Sequence, residues 1–296
     1  EISAFSLQAA LAADDRFDQV GTSNERRWYL RRLEPAEALV TPELLRYAPG
    51  QHPVITLPPD LAQLAFQLDD EWSDGIEETA ERRAAQTTTV TLTFPHAMSG
   101  TLPLGRRTRP LFPVGHGERT MVTLVDGRWG NQFAGWVNHA GRYVAGLQGW
   151  MEKHKLPAGA HITLERRGND EVVVDFRPKR MRREWMRWAQ IGEEGRADIQ
   201  LRKQEIACEY DEQMVIGAER SEEVTKLRSL YSAASLADLV FEVFTDLAGL
   251  SGSVNAKTVY SAVNVIRRVT PEPVFAALAG DERLERLPDG NFRLIA

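Results

Sequence analysis

MVTLVDGRWGNQFAGWVNHAGRYVAGLQGWMEKHKLPAGAHITLERRGNDEVVVDF, Met121 to Phe176, is the stretch around which the rest of this 296-residue chain is arranged. Apolar runs at Met121 to Val125, Phe133 to Val137, Tyr143 to Ala145, His161 to Leu164 and Val172 to Phe176 alternate with turn residues. That pattern predicts short, half-buried strands. Gly149 to Lys155 is too charged for a strand and predicts one helical turn, closed by Leu156-Pro157-Ala158-Gly159-Ala160. Strands of this length with one or two short helices suit a small closed barrel.

The order of these pieces is similar to that of the DNA-binding pseudobarrel family, found in plant auxin-response-type transcription factors and in the recognition domains of some restriction endonucleases. The resemblance covers Thr87 to Arg180 and rests on the Asp126-Gly127 turn, the strand carrying Trp136, the segment Tyr143-Val144-Ala145-Gly146-Leu147-Gln148-Gly149-Trp150 and the Gly159 turn. Ala160 stands where the family has an acidic residue. The resemblance implies two loops that grip double-stranded DNA. The first falls on Phe94 to Thr101, with His96, Ser99 and Thr101. The second falls on Trp136 to Arg142, with Asn138, His139 and Arg142. Such side chains suit base edges, because the major groove shows a distinct donor and acceptor pattern for each base pair. Arg106, Arg107 and Arg109, just past the first loop, suit phosphates.

Charge supports a polyanionic partner locally. Thr87 to Gln190 holds sixteen Lys and Arg against eight Asp and Glu, whereas the whole chain carries a net charge of −6. Screening confines such an effect to roughly 10 Å, so the local excess matters more than the total. The densest basic run is RPKRMRREWMRW, Arg177 to Trp188. Read as a helix, it puts Trp185 and Trp188 on one face and Arg180, Arg183 and Arg187 on another, with Arg180 and Arg183 as candidate DNA contacts.

The flanks share a pattern. LQAALAADDRFDQVGTSNERRWYL, from Leu7, aligns with VFAALAGDERLERLPDGNFRL, from Val274, so that Ala9-Ala10-Leu11 matches Ala276-Ala277-Leu278, Asp14 matches Asp281 and Arg16 matches Arg283. Each reads as a helix followed by a hairpin. Ahead of the second copy, helical periodicity spans Leu236 to Ala248 and Ala256 to Val269, and Pro271 and Pro273 begin the third helix. This resembles winged-helix modules attached to restriction and chromatin proteins. The N-terminal copy has no such helices ahead of it, and the chain opens on Glu1, which suggests either a start inside a longer protein or helices that were not retained.

The expected architecture is therefore α+β and multidomain, with a seven-stranded-type open pseudobarrel between a partial and a complete winged helix. Residues 1–34 form the back half of a winged helix and 35–86 a linker with a helix at Pro59 to Leu68. Residues 87–180 form the pseudobarrel, 181–233 a charged helical connector and 234–296 the winged helix. A turn is expected at Asp69 to Gly75, with an acidic helix after it.

Enzymatic readings find little. The histidines at 52, 96, 116, 139, 154 and 161 form no helical metal-ligand pair, and phosphate loops and nucleophile elbows are absent. The expectation is DNA binding without catalysis, metal or cofactor, serving defence or transcription. A protein-interaction scaffold built on the winged helices and the recognition part of a nuclease are the alternatives. The lone Cys208 admits no intrachain disulfide and fits a reducing cytoplasm, and no apolar run is long enough for a membrane span.

Overall fold

Alternation in the central stretch puts one side of each strand into a common core, and the sheet curls until that core is enclosed. In the computed structural model, which describes residues 2–23, 25–47, 56–73, 86–115, 117–193, 195–218 and 221–295, the protein is α+β. Its centre is a curled, mixed seven-stranded sheet. The strands are β3 (Thr87–Thr91), β4 (Leu102–Pro103), β5 (Arg119–Asp126), β6 (Gln132–Asn138), β7 (Tyr143–Ala145), β8 (His161–Arg167) and β9 (Glu171–Phe176), in the order β3-β8-β9-β5-β6-β7-β4. Only β5 and β9 run parallel. Val90, Val122, Leu124, Val137, Ile162, Leu164, Val172 and Val174 fill the interior. The short helices α4 (Phe94–Ser99) and α5 (Gln148–His154) join β3 to β4 and β7 to β8. Gly100 ends α4 at φ 60°, where a Cβ would sit within 2.7 Å of Gln148. A side chain there would fail on both backbone and packing grounds.

Among the described residues, the expected helical connector is a β-ribbon up to Cys208 and helical only at Ser221–Leu230. β10 (Pro178–Ile191) pairs antiparallel with β11 (Ala197–Cys208) over most of their length, and β12 (Ile216–Ala218) joins β10 in parallel only at Arg187 to Ala189. Helix α6 (Ser221–Leu230) follows. Trp185 and Trp188, expected on one helical face, therefore lie on opposite faces of a strand. The misreading has a physical cause. Met186 packs into the barrel core while Ala189 and Ile199 pack into the core of the C-terminal helices. A ribbon buried on both faces, against two different cores, has no clean apolar period of two. Its other end, Pro178 to Arg183, is exposed throughout.

The C-terminal region packs α7 (Leu236–Ser251), α8 (Ala256–Ile266) and α9 (Pro271–Gly280) against an antiparallel sheet of order β13-β15-β14, formed by Ser253–Asn255, Asn291–Leu294 and Leu284–Arg286. Ser235 caps α7 by accepting from the Asp238 amide at 3.1 Å, and Asn255 caps α8 through the Lys257 amide at 3.0 Å. Phe244, Val259, Val263, Val274, Phe275 and Phe292 form a core that continues into α3 (Pro59–Leu68) and the ribbon. The expected helix at Pro59 to Leu68 is thus present. The acidic helix expected after Gly75 lies outside the described residues.

The repeat in the flanks is also a repeat in three dimensions. At the N-terminus α1 (Ile2–Ala12) leads into β1 (Phe17–Gln19), which pairs with β2 (Trp28–Leu30). Arg16 grips Asp14 with Nε–Oδ1 2.9 Å and Nη2–Oδ2 2.6 Å, and Arg283 grips Asp281 with 2.8 and 2.6 Å. The Phe17 amide donates to the Asp14 carbonyl as the Leu284 amide does to Asp281, and Arg31 to Arg16 as Ile295 to Arg283. The copies differ in cover. Val274 is fully buried, whereas its counterpart Leu7 is 60% exposed and nearby Phe5 is 74% exposed. After β2 the chain continues through the one-turn helix α2 (Ala36–Leu39) and a 3₁₀ turn at Glu43–Leu45.

Where α7 meets the ribbon tip, Asp246 and Glu242, one turn apart on α7, line a cleft together with Asp198, Gly192 and Phe241. Burial, then repulsion from Asp198 and Glu242, pushes the Asp246 carboxyl up to about 6. The folded state therefore keeps this proton while the unfolded state loses it, and stability falls as pH rises from about 4 to about 6. Asp246→Asn is expected to stabilise the protein at neutral pH by about 1 to 2 kcal/mol, allowing for partial exposure. Urea denaturation near pH 4 should show no gain. An equal gain at both pH values would rule out this ionisation as the cause.

Candidate nucleic-acid interface

The two expected gripping loops are not free surfaces. Helix α4 occupies the first, packed against α8 and the Glu43–Leu45 turn. His96 and Thr101 are buried and bonded to each other, Nδ1 to Oγ1 at 2.8 Å, while Ser99 is half-buried. In the second loop, Asn138 is buried. It donates to the Ala38 carbonyl and the Tyr143 hydroxyl, both at 3.2 Å, and accepts from the Gly141 amide at 2.7 Å. The Tyr143 hydroxyl donates in turn to the Glu37 carbonyl at 2.8 Å. Residues 35–39 thus lie over this turn. His139 is half-buried with Nε2 2.8 Å from Thr120 Oγ1, and burial, then Arg109, lowers its pKa.

Arg142 also points inward. It sits at φ 55°, lies over the Trp72 ring at 4.7 Å and donates to the Glu71 carbonyl at 3.1 Å. Arg107 closes the end of α3. Its amide donates to Asp69 Oδ2 at 3.1 Å and its guanidinium to the carbonyls of Gln67 and Thr89 at 2.8 and 3.2 Å. Gly105 permits this, since a Cβ would meet the Asp69 carbonyl oxygen at 2.2 Å. Arg106 lies over Phe66 at 4.9 Å, and Arg109 is exposed. The expectation that both loops present free base-reading side chains is therefore corrected. Asn and His satisfy buried backbone groups as readily as bases, and here they do so.

What occupies the centre instead is an ionic cluster, where the sequence predicts a turn. Asp70 and Glu71 follow α3, and Arg268 follows α8. Arg268 Nη1 lies 2.8 Å from Asp70 Oδ2 and Nη2 lies 2.7 Å from Glu71 Oε1, with all three side chains no more than 2% exposed. The Tyr260 hydroxyl donates to Asp70 at 2.6 Å, and Asn264 Oδ1 accepts from Arg268 at 3.2 Å. His96 Nε2 stands 3.2 Å from Glu71 Oε2. Burial alone would raise the Glu71 pKa, but Arg268 and His96 bring it well below the usual carboxylate range. The sequence signal was Asp69-Asp70-Glu71 between Leu68 and Trp72, three acids with apolar neighbours, together with Arg267-Arg268 closing an apolar helix.

A second buried guanidinium holds the N-terminal hairpin. Arg119, at the start of β5, donates to Glu34 at 2.9 Å and also bonds to Asp18. Arg107, Arg119 and Arg142 are thus engaged with the protein itself. Comparison with known protein families, curated proteins and solved structures finds no match.

Exposed positive charge collects on the ribbon. Arg177, Lys179, Arg180, Arg182 and Arg183 are all exposed, and Lys203 faces outward from β11. Glu205 lies 3.6 Å from Arg183, and Glu209 3.2 Å from Arg177. Of the expected contacts, Arg180 and Arg183 are the ones this surface brings together. Among the described residues, no group of three or more His, Cys, Asp or Glu is placed to hold a metal ion, and no helix is long and apolar enough to cross a membrane.

Proposed function

We propose that this protein binds double-stranded DNA without catalysing a reaction on it, and that the β10–β11 ribbon carries the contact. The supporting observation is the run Pro178 to Arg183. It comprises six consecutive exposed residues, four of them cationic, on a two-stranded ribbon of a size the major groove admits. Phosphate contacts from Lys and Arg supply most non-specific affinity and need no buried geometry. The order of strands and short helices in the curled sheet supports the pseudobarrel reading of residues 87–180. The sequence α7-β13-α8-α9-β14-β15 supports a winged-helix reading of residues 234–296. In neither case do the expected recognition elements face solvent, since α9 is largely buried and lies against α3. The buried, unpaired Cys208 suits a reducing cytoplasm.

A second reading, an interaction scaffold, is favoured by one observation, the exposure of Phe5 and Leu7 on α1. Salt dependence separates the two. Affinity for a short random-sequence duplex is expected to fall steeply between about 50 and about 200 mM salt. Replacing Lys179, Arg180 and Arg182 together by Ala should reduce the slope of log affinity against log salt by about three. Absence of binding at the lower salt, or a variant indistinguishable from wild type, would remove the DNA reading from this surface.

A further inference from the structure

The ribbon has two unlike faces that meet at an uncovered edge. Because β12 pairs with β10 only from Arg187 to Ala189, the outer edge of β10 from Pro178 to Met186 has no neighbouring strand among the described residues. On one side of that edge Lys179, Arg180 and Arg182 border a cleft of about 360 Å³ floored by Ile206, Cys208 and Tyr210. Glu184 and Glu212 also line it. On the other side the pairing register sets Trp185 beside Lys203 and Arg183 beside Glu205, with Leu201 one pair further on. Trp185 is 60% exposed, and the Lys203 ammonium lies 4.9 Å from its ring centre.

An indole this exposed on a strand, with the Lys203 ammonium against its ring and the Arg183–Glu205 pair as its neighbour, presents a flat π-face beside cationic groups. A nucleobase is the chemistry that fits both properties, since stacking on an indole outweighs an exposed cation–π contact and every base has a π-face. A fully paired duplex offers no such face, because its bases are stacked on one another. We propose that Trp185 stacks on an unpaired base while Lys179, Arg180 and Arg182 hold phosphates of the same strand as it crosses the free edge of β10. The preferred ligand is then a duplex interrupted by unpaired nucleotides. This inference rests on the nucleic-acid reading above and names the class of DNA that the ribbon prefers.

The test compares three labelled ligands by fluorescence anisotropy: an intact short duplex, the same duplex with an internal run of unpaired thymidines, and the single strand alone. Wild type is expected to bind the interrupted duplex about tenfold more tightly than the intact one. Trp185→Ala should abolish that preference and leave intact-duplex affinity unchanged, with Trp185→Phe retaining part of it. The double change Arg180→Ala and Arg182→Ala should weaken all three ligands. Equal binding of intact and interrupted duplex by wild type, or a preference that survives Trp185→Ala, overturns the proposal while leaving duplex binding in place. Failure to bind any of the three overturns the nucleic-acid reading itself. Self-association that Trp185→Ala abolishes, without oligonucleotide binding, would assign the face to a protein contact instead.

Discussion

Arg268→Met is expected to destabilise the protein by about 3 to 5 kcal/mol, because it leaves the Asp70 and Glu71 carboxylates buried without their counter-charge. Against a total stability of about 5 to 15 kcal/mol for a typical domain, such a loss approaches unfolding. The mechanism also dictates a pH dependence. Glu71 has a depressed pKa in the folded protein, so its contribution is present above the unfolded value and is lost as pH falls through the folded one. Removing Arg268 takes that contribution away, so the deficit of the variant should shrink as the solution is acidified and the carboxylates take up protons. A triple variant adding Asp70→Asn and Glu71→Gln should recover much of the loss, since replacing a whole buried ionic group costs far less than breaking it. Urea denaturation of the single and triple variants decides the matter. A single variant within about 1 kcal/mol of wild type would mean that water reaches the cluster.

Arg119→Met is expected to act more locally. Glu34 is fully buried and its pKa is raised by burial, with Arg119 the main opposing influence. Without the guanidinium, Glu34 must take up a proton or leave the interior, and Asp18 loses one of its two arginine partners, retaining Arg31. A cost of about 2 to 4 kcal/mol follows for the attachment of residues 17–39. The hairpin also holds to the barrel through the Met121 amide on the Val20 carbonyl at 2.8 Å and the Ser23 amide on Val114 at 3.0 Å. Hydrogen exchange should therefore show protection lost at Val20, Arg31 and Ala38 while the β5–β6 ladder keeps its own, as expected of a separable cooperative unit. Uniform loss across both would show that hairpin and barrel unfold together.

These two arginines explain why the loops expected to grip DNA are covered. Arg268 draws the C-terminal helices onto α4 through Glu71 and its neighbour His96. Arg119 draws residues 34–39 across the turn that carries Asn138. Each is an ordinary Arg in a chain that has thirty, and nothing local distinguishes it from Arg180 or Arg183. The same holds for Asn138, whose amide suits adenine or the Ala38 carbonyl equally.

The sequence by itself determined the local elements. Strands β5 to β9, α5, the Pro59–Leu68 helix, the three C-terminal helices and the repeated helix-hairpin with its Asp14–Arg16 and Asp281–Arg283 turns follow from alternation, proline, glycine and capping residues that act within a few positions of one another. Tertiary structure alone decided the rest. Met186 and Trp188 turn to the barrel while Ala189 and Ile191 turn to the C-terminal core, so residues 178–208 became a ribbon only because two cores, built from segments far apart in the chain, close on its two faces. Likewise Asp70 and Arg268 are 198 positions apart, and a charge declares itself buried or exposed only when a distant partner is folded against it. Periodicity records which face of an element is wet. It cannot record which charge will neutralise which across the interior.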